Sequence, residues 1–177
     1  GMMRFLKKIW PPVVQSFPGA QLQLYGMGVP AELRAQCDRA KNVTLLGSSS
    51  PLREAYEGCA FAVAPIYSGA GTCFKVVESL ALGRTLVLSP YAGRGYDGVV
   101  EHGQTVWMGR TDEEMAAGCI QLLNDQAMRN RLAGEGSRRV NERYSFRRFQ
   151  DVVNETMEDI RKSVSDHAFG QRHNKHV

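Results

Sequence analysis

Residues 60–83 read Ala60-Phe61-Ala62-Val63-Ala64-Pro65-Ile66-Tyr67-Ser68-Gly69-Ala70-Gly71-Thr72-Cys73-Phe74-Lys75-Val76-Val77-Glu78-Ser79-Leu80-Ala81-Leu82-Gly83. Ala60 to Pro65 is a nearly continuous apolar run of strand length. A glycine-rich turn follows, and it opens into a helix expected over Thr72–Leu82 and stopped by Gly83. Thr85-Leu86-Val87-Leu88 is then a second short apolar strand. Strands that are apolar along their whole length and separated by helices imply a parallel sheet covered on both faces, hence an α/β fold.

The same alternation continues outward. Gln21-Leu22-Gln23-Leu24-Tyr25 alternates as a strand before Gly26-Met27-Gly28, and Ala31–Ala40 is a short polar helix. Val43-Thr44-Leu45-Leu46 is a strand closed by Gly47, Leu52–Gly58 a helix, and Thr105–Met108 a last short strand. Near the start, Phe5, Leu6, Ile9, Trp10, Val13 and Val14 recur at helical spacing, with Pro11 and Pro12 implying a kink or a second start. Gly1 before Met2 reads as a tag-cleavage scar. Beyond Gly109 only helices are expected, over about Asp112–Leu123 with Thr111 as N-cap, Gln126–Tyr144 and Phe146–Val164. The reading is a Rossmann-like parallel sheet flanked by helices with a helical C-terminal extension. Residues 1–164 form the domain and 165–177 a disordered polar tail.

Composition narrows the class. The 177 residues are 43% hydrophobic with a net charge of only +4, enough apolar surface for a core and too little charge for intrinsic disorder. No apolar run is long enough to span a bilayer, and the start has no signal-peptide core. Cys37, Cys59, Cys73 and Cys119 are widely spaced, which suits reduced, buried cysteines and neither a disulfide framework nor a zinc site. A cytoplasmic location is expected. Arg129, Arg131, Arg138, Arg139, Arg143, Arg147 and Arg148 crowd the last helices. They read as a solvated face, with a membrane surface or lipid-linked acceptor kept open. Without interleaved aromatics they do not suggest nucleic acid.

The chemistry concentrates at the turn. In open α/β sheets ligands sit beyond the carboxyl ends of strands. Gly69 and Gly71 let backbone N–H groups approach an anion, and the helix start adds a partial positive charge. Lys75 can bring a full charge to a diphosphate. Glu78, on the same helix face, can accept hydrogen bonds from sugar hydroxyls. Arg94, after the next strand, offers a second anion contact. From these residues alone, a plain tight connection and an exposed Lys75–Glu78 pair worth under about 1 kcal/mol stay open. The pattern is neither the Walker loop nor G-x-G-x-x-G. His102 reads as a solvated loop histidine, and Trp10 and Trp107 as core.

The string Gly69, Gly71, Thr72, Lys75, Glu78, Ala81, Gly83 resembles the nucleotide-sugar-binding C-terminal domain of GT-B glycosyltransferases, particularly retaining glycosyltransferase family 4 (glycosyl transferases group 1). Pro18–Gly26, Asn42–Gly47, Leu122–Asp125 and Arg143–Phe146 extend the likeness over most of residues 4–163. The resemblance implies a nucleotide-diphosphate sugar as donor and transfer of a glycosyl group to an unknown acceptor. It places Glu78 on the ribose and the backbone of Gly69, Ala70, Gly71 and Thr72 on the diphosphate or sugar, with Lys75 as a phosphate partner. Gly26 and Gly28 become a second glycine turn facing the cleft, and Leu46-Gly47 lies near the base. Ser68 stands where many members carry a glutamate on the donor sugar. Neither a cofactor nor a metal is expected.

The family pairs two Rossmann-like domains, and the resemblance implies that this chain corresponds to the second, with its first strand expected to be missing. An inactive fragment missing its N-terminal acceptor domain is therefore expected. A nucleotide-sugar epimerase on the same scaffold and a non-catalytic nucleotide-sugar-binding module are the alternatives.

Overall fold

A computed structural model describes residues 1–47 and 52–173; residues 174–177, the end of the expected tail, lie outside the described residues. Strands β1 (Leu22–Tyr25) and β2 (Val43–Leu46) pair in parallel, Leu22 beside Val43 and Tyr25 beside Leu46. Strands β3 (Ala62–Ala64), β4 (Leu86–Leu88) and β5 (Trp107–Met108) form a second parallel sheet with β4 in the middle. The parallel α/β architecture is thus as the sequence implies, but no ladder joins the two sheets among the described residues. The first strand of the quoted run is also shorter than its apolar span. Pro65 has no N–H with which to continue a ladder, so pairing stops at Ala64.

The helices are α1 (Met2–Arg4), α2 (Trp10–Ser16), α3 (Ala31–Arg39), α4 (Leu52–Glu57), α5 (Phe74–Ala81), α6 (Pro90–Gly93), α7 (Asp112–Asn124), α8 (Gln126–Tyr144) and α9 (Phe146–His173). A π-helical segment, Phe5–Ile9, joins α1 to α2, closed by the Trp10 N–H on the Phe5 carbonyl. Pro11 and Pro12 explain it. They cannot donate to the carbonyls one turn back and their rings would clash there, and the wider turn relieves both without breaking the helix.

Strand β4 shows why the whole apolar run is needed. Val87 joins a core with Phe5, Leu6, Ile9, Trp10 and Val13, and with Met115, Cys119 and Leu122 of α7. Its neighbours Leu86 and Leu88 join another core, with Val76 and Leu80 of α5 and with Ala92, Val99 and Val106. Alternate residues thus serve opposite faces, and both faces are covered. Each fully buried side chain of this size contributes about 1.5–3 kcal/mol. Helix α7 starts as expected: the Thr111 hydroxyl accepts the Glu114 N–H at 3.2 Å, and acidic residues fill the first turn. It passes very close to β5 at Gly118, where a Cβ would lie 2.2 Å from the Trp107 ring. The Trp107 indole in turn donates to the Glu114 carbonyl at 3.1 Å. Cys119, 1% exposed, has its thiol pushed up to about 12 by burial.

The chain divides into two compact units, Gly1–Val140 and Asn141–Val177. Within the second, the Ser145 hydroxyl caps the start of α9 by accepting the Arg148 N–H at 3.2 Å, and Arg148 pairs with Glu155 at 3.2 Å. No helix among the described residues is long and apolar enough to cross a membrane.

Candidate functional site

The turn between β3 and α5 and the segment after β4 meet beyond the carboxyl ends of their adjacent strands. The Arg94 guanidinium donates to the Gly69 carbonyl at 3.0 Å and to the Gly71 carbonyl at 2.6 Å. The Tyr91 hydroxyl donates to the same Gly69 carbonyl. The Arg94 guanidinium also lies over the Tyr91 ring, 3.6 Å from its centroid. Deeper in, the buried Ser89 hydroxyl donates to the Ile66 carbonyl and fixes where the turn departs from the strand.

Gly69 and Gly71 have φ of +138° and +74°, conformations in which side chains are strained. Ser68, Gly69, Ala70, Gly71 and Thr72 are all exposed. Among the described residues, no backbone N–H from Ser68 to Lys75 donates a hydrogen bond within the protein; the first that does is Val76, to Cys73. Buried backbone donors are almost always paired, and exposed ones meet water or a ligand. The turn therefore offers a run of uncommitted donors at a helix start, which suits an anion.

Helix α5 begins at Phe74, with Cys73 as N-cap, two residues later than the sequence suggests. Cys73 makes no side-chain capping bond there. The shift leaves Lys75 in the first turn. It is exposed and has no hydrogen bond or ion pair among the described residues. The alternative of an exposed Lys75–Glu78 ion pair is not seen among the described residues. Glu78 instead accepts a hydrogen bond from the Tyr56 hydroxyl at 3.3 Å. Burial, reinforced by the Glu78 charge, raises the Tyr56 hydroxyl well above its ordinary range and keeps it protonated as the donor. Arg84 fastens α4 in place, donating to the Tyr56 carbonyl at 2.7 Å and to the Glu57 carbonyl at 2.9 Å. A carboxylate has lone pairs beyond the one Tyr56 uses, so Glu78 retains acceptor capacity.

The structure thus joins Arg94 directly to Gly69 and Gly71, places Lys75 and Glu78 on the helix that follows the turn, and adds Tyr56, Ser89 and Tyr91 as partners of these segments. Sequence reading missed these three because their partners lie 22 or 23 residues away. Gly26 and Gly28 follow β1 in the other sheet, Gly28 with φ +60° and Gly26 donating to the Leu46 carbonyl at 3.3 Å. His102 is a brace: its Nδ1 accepts the Met108 N–H at 3.0 Å and its ring meets Trp107 edge-on. Several arginines of the basic cluster are bound internally. Arg129 donates to the Leu122 and Leu123 carbonyls, Arg131 to the Gly103 carbonyl, and Arg139 pairs with Glu101 and Glu135. The four cysteines are free, and no group of His, Cys, Asp or Glu that could hold a metal occurs among the described residues.

The sequence profile described as "Glycosyl transferases group 1" matches residues 1–125. No curated protein matches the chain in sequence. Solved structures do. TarM of S. aureus, in complex with fondaparinux, alpha-GlcNAc-glycerol and UDP, superposes with a TM-score of 0.73 at 17% identity, covering 88% of this chain and 32% of its own. HepE of Anabaena, in complex with UDP-glucose, gives 0.71 at 18% identity, covering 85% and 44%. Sucrose-phosphate synthase of Thermosynechococcus elongatus gives 0.68 at 20% identity, covering 89% and 43%. At these identities the likeness is one of fold, and the chain spans under half the length of each.

Proposed function

The chain belongs to the glycosyl transferases group 1 family, and from that premise we propose that it is the donor-binding half of a GT-B glycosyltransferase, holding a nucleotide-diphosphate sugar at the turn 68–75. The observation that carries this reading is that, among the described residues, the backbone N–H groups from Ser68 to Lys75 at the start of α5 and the Lys75 ammonium have no partner. A diphosphate supplies the oxygens and the negative charge that such a site lacks. Glu78, held by Tyr56, is one helical turn deeper and accepts from the ribose hydroxyls. Ser68, Ala70 and Thr72 border the sugar, and Gly26 and Gly28 line the opposite side of the cleft. The UDP and UDP-glucose held by the structural relatives indicate the ligand class.

In this reading the domain contributes position and charge. Amides and a cation placed around the departing diphosphate stabilise the negative charge that develops as the glycosidic bond breaks. The acceptor and its binding groups come from another domain, and transfer with retention is the expected stereochemistry.

Calorimetric titration of the 177-residue chain with UDP, GDP and ADP tests this directly. One of them is expected to bind saturably. Lys75→Ala and Glu78→Ala should each weaken that binding about tenfold, the loss of one charge-assisted contact at an exposed site. Lys8→Ala, an exposed lysine elsewhere, should leave it unchanged. Absence of saturable binding by all three nucleotides, or equal affinity in the Lys75 and Glu78 variants, overturns the proposal.

A further inference from the structure

We propose that Arg94, with Tyr91 beneath it, is a positioning residue that aims the backbone donors of the turn outward without itself touching the ligand. The inference rests on the donor-site reading above and assigns the turn's geometry to a residue outside it. A trans peptide unit points its C=O and the following N–H in opposite directions. Arg94 takes the carbonyls of Gly69 and Gly71 onto one guanidinium, at 3.0 and 2.6 Å. The N–H groups of Ala70 and Thr72, which share those two peptide units, therefore face away from Arg94, on the same side as each other.

The positive charge behind the carbonyls also orients the two peptide dipoles so that their positive ends lead outward. An exposed turn with glycines at positive φ has little else to fix it. The Tyr91 hydroxyl shares the Gly69 carbonyl and its ring supports the guanidinium plane. Gly95, whose Cβ would lie 2.7 Å from Thr72 Cγ2, allows this segment to come so close. Bridging two carbonyls from one rigid planar fork is a task for arginine. Lysine is a flexible point charge and holds such a bridge poorly.

Two measurements decide the matter. In the 15N-labelled chain without ligand, Arg94→Ala is expected to lower the heteronuclear NOE of residues 69–72 while the rest of the spectrum stays native; Lys75→Ala leaves it unchanged. In titrations with UDP, Arg94→Lys should lose affinity as fully as Arg94→Ala, about tenfold in each case, with Tyr91→Phe intermediate. An unchanged NOE in Arg94→Ala, or near wild-type affinity in Arg94→Lys, overturns the assignment. The second result would make Arg94 a direct charge contact. If the wild-type chain binds no nucleotide, the donor-site reading falls, and the NOE alone decides whether Arg94 holds the turn.

Discussion

Gly118→Val lowers the melting temperature by about 6–12 °C, the shift expected for a loss near 3 kcal/mol in a chain of this size. The added Cβ would sit 2.2 Å from the Trp107 ring and 2.5 Å from its indole nitrogen. Trp107 has no easy retreat. Its indole is committed to the Glu114 carbonyl at 3.1 Å, and His102 meets its ring with centroids 5.2 Å apart. Either α7 lifts from β5 or the indole gives up its bond. Overpacking costs about 1–3 kcal/mol and the lost hydrogen bond about 1. Gly118→Ala meets the same ring but recovers up to about 1 kcal/mol of helix propensity, so its shift is smaller. Thermal unfolding followed by circular dichroism reads both. A valine variant that melts with the wild type would mean that α7 and β5 are not in contact at this point.

Gly71→Val abolishes nucleotide binding while sparing stability. At φ +74° a β-branched residue is strained by roughly 1–2 kcal/mol. In an exposed turn the chain escapes by turning the backbone over. The 71–72 peptide then leaves Arg94 and the Thr72 N–H no longer faces outward. Losing that donor and the ordered turn together is expected to cost at least about a hundredfold in affinity for UDP, equivalent to some ~2.7 kcal/mol. Because the turn packs against little, the melting temperature should move by under about 2 °C. Calorimetry on the folded variant checks the outcome, and affinity within about threefold of wild type would contradict it.

Much of this architecture was legible in the sequence because it is local. Val43–Leu46 is a strand bounded by Asn42 and Gly47, and it emerged with those bounds. Thr111 followed by three acids marked the start of α7, and it emerged capped as read. Other features are set by partners distant along the chain. Arg94 reaches Gly69 across 25 residues, because parallel pairing of β3 and β4 places their carboxyl ends side by side. No local pattern in Gly93-Arg94-Gly95 reports that. The close approach of Gly118 to Trp107 likewise depends on how α7 packs on β5. Pro11 and Pro12 signalled a disturbance correctly, but its form, a widened turn and no break, depends on the core that holds Phe5, Leu6 and Ile9 in place. The turn itself was visible as glycines. Its unpaired N–H groups were not, since pairing is a property of the whole fold.

The burial of Cys119 and the partial exposure of Cys73 give the protein two built-in chemical reporters. A maleimide or iodoacetamide reaches Cys119 only when the core opens, so the rate of its modification is a clock for global unfolding. Cys73 stands at the N-cap of α5, beside the donor turn. A bound nucleotide should slow its alkylation and leave the Cys119 clock to register only the added stability. Mass spectrometry of the two peptides then separates occupancy from stabilisation in one sample.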